Sequence, residues 1–565
     1  MSKKNTVLIL AMLLMIICTA CGGVDDLFDN KENNGVQPST TMVDMATFYN
    51  LGENEGVVIA DLHELPDRAR NINGSWYISI NSVTGLNDRF YWNQAEEQMI
   101  VTTSDSVDYY WPDAMNYTTN SESVALDKAA ISMVDGTLYV SLDLFKQYTP
   151  NVCELYEDPD RIIIWSEPAK IPTYKVSVDS APVRIGANIT SDILVKETKD
   201  ETGYITGEET AGFLPVMTAD GFCGYVSAED IKVEGEKSYE SIADQAEVYT
   251  HNLMTDAYFT AVWHNVAYSA GGDVLASELN GSEGVDVVIP TWYRVIDTAG
   301  NISSNASYSY VDEAHAMGME VWGLVDDFAE GVRGIDVLSS TTSRNNLADS
   351  LVAGAVEYGL DGINVDFEYI TYESAPHYIQ FLRELYLKMK PYGLKLSVDN
   401  YVPDSANSYY NLEAQAEVVD YIMLMTYDEH YSPAAGTGSV ASIGFVENGI
   451  KAALEYVPAN RLVMGIPFYT RMWETHADGQ ITMQVLTMTS ADNTVAHYGL
   501  TPQWDETTGQ YYVNYVDSEG LNCEMWLEEA ESIALKRSLC DTYGLAGTAS
   551  WCLGYEQDDV WEQLK

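Results

Sequence analysis

Basic residues are scarce in this sequence: 29 Lys and Arg stand against 85 Asp and Glu, for a formal net charge of −56. Phosphates and the anionic surfaces of membranes and walls repel such a chain. That excludes nucleic acid as a partner and non-specific adhesion as a mode of attachment. The carboxylate excess reads as a solubilising surface. Long apolar runs are also lacking, since beyond Cys21 no stretch reaches the roughly 20 residues that a membrane helix needs. Cysteine is sparse. Past Cys21 only Cys153, Cys223, Cys523, Cys540 and Cys552 remain, an odd, scattered set without CxxC spacing. This argues against a disulfide framework and against a metal knuckle. The cysteines read as small buried hydrophobes, with a Cys523–Cys540 bridge as the open alternative.

What is present describes folded material: 46% of residues are hydrophobic and 20% charged, and 565 residues exceed one ordinary domain. At the N-terminus Lys3 and Lys4 precede an apolar run from Val7 to Ile17, followed by Thr19, Ala20 and Cys21. A basic region, a short hydrophobic region and a small-residue cleavage site make a secretion signal over residues 1–20. Thr-Ala-Cys resembles the lipobox of bacterial lipoproteins, with Cys18 where that motif usually has Leu. The resemblance implies a diacylated Cys21 as mature N-terminus and an extracytoplasmic protein anchored to the cell membrane. Residues 21–44, rich in Gly, Asp, Asn and Ser, read as a flexible tether.

Residues 45–168 contain an internal repeat. Gly74-Ser-Trp-Tyr77-Ile78-Ser79-Ile80 recurs as Gly136-Thr-Leu-Tyr139-Val140-Ser141-Leu142, each copy followed by a short helical stretch and a strand. The Gly-x-x-Tyr-[Ile/Val]-Ser pattern resembles the copper amine oxidase N-terminal-like module of bacterial surface proteins, although no histidine cluster for copper accompanies it. Residues 172–234, opening on Pro182-Val183-Arg184 and closing on Gly221-Phe-Cys-Gly224-Tyr225-Val226, resemble a bacterial SH3-like domain. An acidic stretch from Glu234 to Glu247 then reads as a linker.

From about 250 to 565 apolar strands alternate with amphipathic helices. The strands are placed at Tyr258–Trp263, Val285–Pro290, Glu320–Val325, Gly362–Phe367, Leu396–Val398, Val418–Met425, Leu462–Pro467 and Gly547–Leu553. Eight such units predict a (β/α)8 barrel, a TIM barrel, behind small β-rich domains; a doubly wound open sheet shares the alternation. The fourth strand carries the chemistry: Asp361-Gly-Ile-Asn364-Val-Asp366-Phe-Glu368. Alternate strand residues share a face, so Asn364, Asp366 and Glu368 point together into the barrel, with Glu368 toward the end where barrel active sites lie.

This octad resembles the Asp-x-x-Asp-x-Asp-x-Glu signature of glycoside hydrolase family 18, with Asn364 in place of its second Asp. Met425-Thr426-Tyr427-Asp428 is similar to the family's sixth-strand motif and Ala549-Ser550-Trp551 to its eighth. The run to His430 and Gly465-Ile-Pro-Phe-Tyr-Thr-Arg471 are especially similar to bacterial peptidoglycan and spore-cortex N-acetylglucosaminidases. Residues 474–522 resemble the family's α+β insertion after strand seven. The resemblance implies Glu368 as general acid, Asp366 as the residue orienting the substrate acetamide, and Tyr427 as its hydrogen-bond donor. It places Asp361, Asn364, Met425, Asp428 and Trp551 around the sugar, and implies no metal or organic cofactor. Asn364 cannot ionise, so Asp366 is expected to ionise more readily and to act on Glu368 alone. The implied reaction is retaining cleavage of β-1,4 bonds in an N-acetylglucosamine-containing glycan by a monomer. Peptidoglycan is favoured by the anchor and SH3-like module. A chitinase, an endoglycosidase on N-glycans and a non-catalytic glycan-binding surface protein stand as alternatives.

Overall fold

The computed structural model describes residues 37–149, 152–166, 169–239, 249–255, 258–266, 273–279 and 284–565. The secretion signal, Cys21 and most of the expected tether lie outside them. The chain forms two compact units, one ending at Val248 and the other running from Tyr249 to Lys565. Among the described residues no helix is long and apolar enough to cross a membrane, and the five described cysteines are free thiols.

In the N-terminal unit each repeat copy is a glycine turn, a strand and a capped helix. Gly74 and Gly136 take positive φ values of 84° and 81°, a conformation in which a residue without Cβ is unstrained. Strands Ser75–Ser79 and Thr137–Ser141 then pair antiparallel through Ile78 and Val140. Ser79 and Ser141 accept from the backbones of Ser82 and Leu144 and so start helices Ile80–Leu86 and Leu142–Tyr148. The repeated serine is thus an N-cap. The copies then diverge: Gln98–Thr102 joins a five-stranded antiparallel sheet, while Arg161–Trp165 pairs in parallel with Glu55–Ala60.

Residues 169–239 form a seven-stranded antiparallel sheet. Its last strand, Ile231–Tyr239, runs along Ala169–Val176, so residues 234–239 belong to the sheet and not to a linker. Trp165, Ile171, Tyr204 and Phe222 bury in one cluster with Tyr49 and Ile59, so the two N-terminal segments share a core. The described end of the expected tether is ordered as well. The Val43 amide donates to the Ile193 carbonyl and the Ile193 amide to the Thr41 carbonyl, both at 2.8 Å. A free sheet edge there offers backbone groups that a passing segment satisfies.

The C-terminal unit is a closed parallel barrel. Its strands are β1 (Phe259–His264), β2 (Val287–Pro290), β3 (Glu320–Asp326), β4 (Gly362–Asp366), β5 (Lys395–Tyr401), β6 (Tyr421–Met425), β7 (Leu462–Pro467) and β8 (Gly547–Trp551). Each pairs with the next and β8 pairs with β1, which rules out the open sheet. Val418 ends helix Leu412–Val418 instead of opening a strand; Asp420 makes the turn by accepting from the Leu396 amide at 2.7 Å. On β4, Ile363, Val365 and Phe367 face the helical shell, while Asn364 and Asp366 face inward beside an inner cluster that includes Trp263, Trp322 and Met423.

Two excursions shape the open end. The insertion after β7 is a five-stranded antiparallel sheet from Tyr469 to Leu527 with helix Met488–Tyr498, a little longer at both ends than expected. Buried Glu528 anchors it by accepting from Lys536, Ser532 and Gln510 at 2.7–3.0 Å. A short hairpin after β2, Tyr293–Val295 with Ile302–Ser304, lies against β3 and had no counterpart in the sequence reading.

Candidate active site

Glu368 lies two residues past the end of β4, and its backbone is held from two sides. The amides of Glu368 and Tyr369 donate to the two carboxylate oxygens of Asp327 at 3.1 and 3.2 Å. The Tyr410 hydroxyl donates to the Glu368 carbonyl at 3.0 Å. The Tyr401 hydroxyl donates to Glu368 Oε2. Burial raises the Glu368 pKa, the charges of Asp428 and Asp326 push the same way, and the Tyr401 hydrogen bond opposes them.

One pleat deeper, Asp366 is buried, and its Oδ1 has no hydrogen-bond partner among the described residues. Burial lifts its pKa well above the carboxylate range, followed by the charges of Asp399 and Glu368. Asp399, itself buried, is pushed up to about 8 by burial against the hydrogen bond it accepts from Asn364. Asp327 is pushed up to about 6, again by burial. The expectation that Asp366 ionises more readily and acts on Glu368 alone is therefore corrected: burial and the neighbouring Asp399 make it harder to ionise. The carboxylate missing at position 364 has a counterpart on β5, where Val365 and Val398 are register partners and Asp366 and Asp399 follow them.

Two further expectations change. Asn364 is fully buried, and its amide group is consumed inside the barrel: Nδ2 donates to Asp399 Oδ1 at 2.8 Å and Ser397 Oγ at 3.0 Å, and Oδ1 accepts from Trp263 Nε1 at 3.4 Å. It supports Asp399 and has no amide hydrogen left for a sugar. Asp361 precedes β4 at the closed end of the barrel, where it accepts from the Val321 amide at 2.8 Å and meets His315 Nε2 at 2.8 Å. Seven residues of strand rise, roughly 23 Å, separate it from Glu368, so it braces the strand entry and does not touch the same sugar.

The remaining residues gather at the open end. Tyr427 stands edge-on to Trp263 and Tyr469, and burial keeps its phenol protonated. Gly465 lets it approach, since a Cβ there would meet the Leu424 carbonyl at 2.5 Å and the Tyr427 ring at 3.1 Å. Asp428 takes a positive φ of 60° and accepts from the Tyr469 hydroxyl and from Arg471 Nη2, both at 2.6 Å. Met425 ends β6 and Trp551 ends β8, the latter 6.2 Å from the Trp263 ring.

Asp326, Asp327, Asp399, Tyr401 and Tyr410 were not singled out from the sequence. Asp399 and Tyr401 carry the signal used on β4, polar residues two apart at the far end of an apolar strand. Tyr410 reaches the site only through the path of its loop. Among the described residues no group of three or more His, Cys, Asp or Glu side chains is arranged to hold a metal ion.

Known proteins resemble the C-terminal half of the chain. A family model described as glycosyl hydrolases family 18 matches residues 332–556. An uncharacterized glycosylase, YvbX, of Bacillus subtilis is 23% identical over 55% of this chain and 94% of its own. The cortical fragment-lytic enzyme of Bacillus subtilis is 30% identical over 40% of this chain and 54%, about half, of its own. The crystal structure of the Bacillus cereus spore cortex-lytic enzyme shares the fold, with a TM-score of 0.50 and 21% identity over 54% of this chain and 73% of that one. The C-terminal barrel thus carries a glycosyl hydrolase family 18 domain, that of a glycosidase.

Proposed function

We propose that the barrel is a retaining, substrate-assisted N-acetylglucosaminidase that cleaves β-1,4 bonds in cell-wall peptidoglycan. The observation that carries this reading is the pair at the end of β4: Glu368 with a raised pKa, above an Asp366 whose buried Oδ1 has no partner. Family 18 departs from the two-carboxylate scheme because the substrate's acetamido oxygen is the nucleophile. Glu368 gives its proton to the glycosidic oxygen as the C1–O bond breaks. The acetamido oxygen bonds C1 from the opposite face, forming an oxazolinium ion. Asp366 Oδ1, buried and without a partner among the described residues, accepts the acetamide N–H and so holds the acetamide against C1. Tyr427 donates to the acetamide oxygen, Asp428 holds a hydroxyl, and Met425 and Trp551 form the apolar floor. Glu368, now a carboxylate, takes a proton from the water that attacks C1, and the β configuration returns.

The cortical fragment-lytic relative supports a wall glycan as substrate. So do the resemblances of the N-terminal segments to surface-protein and SH3-like modules, read here as accessory spacers or wall contacts. The lipobox resemblance at Thr19-Ala20-Cys21 supports lipid anchoring outside the cytoplasm; loss of labelled palmitate in Cys21→Ser is the expected outcome. Activity is tested by reducing-end release from purified peptidoglycan and from chitin oligomers, with the first product followed by NMR. The β-anomer is expected first, and de-N-acetylated glycan is expected to resist cleavage. First appearance of the α-anomer overturns the mechanism, and cleavage of chitin alone overturns the substrate.

A further inference from the structure

The hairpin after β2 places a half-exposed arginine at the rim of the site, whereas Arg471, bonded to Asp428, is buried. Arg294 is the register neighbour of Asp326 at the end of β3, and Asp326 is in turn the neighbour of Asp366. At about 4.8 Å per strand, Arg294 stands roughly 10 Å from Asp366, within reach of the sugar adjoining the cut. Its Nε and Nη2 donate to the two carboxylate oxygens of Asp326 at 2.6 and 2.9 Å. Nη1 has no partner among the described residues, and the side chain is 48% exposed while Asp326 is 6% exposed. The guanidinium lies 5.9 Å from the Phe328 ring, and Phe328 meets Tyr369, the residue after Glu368, at 5.6 Å. Tyr369 is 63% exposed. A cation, an aromatic ring and an exposed tyrosine thus run along the rim to the acid.

The carboxyls of Asp327, Asp366, Glu368 and Asp399 at this end of the barrel offer an anion no counter-charge, so an anionic glycan needs a cation there to receive its charge. Chitin is neutral and needs no such group. A muramyl residue carries a lactyl ether whose carboxylate is free only after the stem peptide has been removed; while the peptide is attached, that carbon is a neutral amide. We infer that Arg294 Nη1 receives the free lactyl carboxylate of a muramyl residue beside the cleaved bond, so that the preferred substrate is wall glycan already stripped of peptide. The reaction that supplies it is hydrolysis of the lactyl–peptide amide. This rests on the reading of the barrel as a wall-glycan glycosidase.

The test compares kcat/KM on peptide-free glycan strands, peptide-bearing strands and chitin oligomers, for the full chain and its Arg294→Gln and Arg294→Lys variants. Wild type is expected to prefer peptide-free over peptide-bearing strands. In Arg294→Gln the ratio of peptide-free strands to chitin oligomer is expected to fall about 10–100-fold, the scale of one charge-assisted hydrogen bond, and Arg294→Lys is expected to recover part of it. A loss shared equally by both substrates leaves the ratio unmoved and overturns the inference, because Arg294 then only braces Asp326. Preference for peptide-bearing strands overturns it by assigning the cation to a peptide carboxylate. Wild-type inactivity on all three substrates overturns the glycosidase reading itself.

Discussion

A carboxyl that donates a proton near neutrality has to sit above its ordinary pKa, and Glu368 does so through burial reinforced by Asp428 and Asp326. Glu368→Gln keeps the shape and removes the proton. Its kcat is expected to fall by about 10²–10⁴ while binding of an uncleaved oligosaccharide persists, as steady-state kinetics and calorimetry would measure. Near-wild-type turnover would remove Glu368 from the mechanism. Asn364 tests the carboxylates below it. Its Nδ2 lies 2.8 Å from Asp399, so Asn364→Asp sets two carboxyls in contact, and the pair holds one proton between them. That adds negative charge beneath Asp366 and Glu368, and like charge raises a carboxyl pKa. The acid form of Glu368 then survives to higher pH, and the basic limb of kcat/KM is expected to move upward. A fixed or lowered limb would show that charge at this depth does not reach the acid.

At the scale of elements, β4 is positioned by the helices on either side of it in sequence. Helix Thr341–Tyr358 and helix Ala375–Met389 are joined by Arg344 and Glu384, both fully buried, with bonds of 2.9 and 3.1 Å; Gln380 adds a third at 2.8 Å. A buried pair returns little net stability over a well-packed apolar pair, but removing one partner strands the other. Arg344→Met is expected to cost about 3–5 kcal/mol, measured by denaturant unfolding. The double variant Arg344→Met with Glu384→Leu is expected to recover most of that loss. If the double variant is as unstable as the single, the pair contributes by attraction and not merely by mutual satisfaction.

Across the whole molecule, buried titratable groups set the pH range of stability. Asp399 is raised to about 8, and Glu197 and Glu556 to about 7, each chiefly by burial. These carboxyls keep protons in the folded chain that the unfolded chain has already released, so stability falls as pH rises from the ordinary carboxylate range, about 4, up to those values. His251, His264 and His377 are lowered to about 4 by burial. They stay neutral when folded and take up protons when unfolded, so stability falls as pH drops from 6.5 toward 4. Between pH 4 and 6.5 the two sets oppose each other, and above 6.5 only the raised carboxyls still titrate, so thermal unfolding followed over pH is expected to show Tm falling from pH 6.5 to 8. A Tm that climbs steadily to pH 8 would mean that the raised carboxyls do not dominate.

Local pattern by itself determined the eight barrel strands, the inward face shared by Asn364, Asp366 and Glu368, and the repeat whose Ser79 and Ser141 are caps. Period-two alternation and turn chemistry act over a few residues and need no knowledge of what lies across the core. Only the tertiary structure decided which of those inward groups meet. Barrel closure laid β5 against β4, and this brought Asp399 beside Asp366 and used up the amide of Asn364, while β3 took up Asp361 through the Val321 amide. The same closure let Asp327 and Tyr410 grip the Glu368 backbone and set Arg294 beside Asp326. Those contacts join residues from 32 to 42 positions apart. Packing across neighbouring strands fixes such distances, and no periodicity within one strand encodes them.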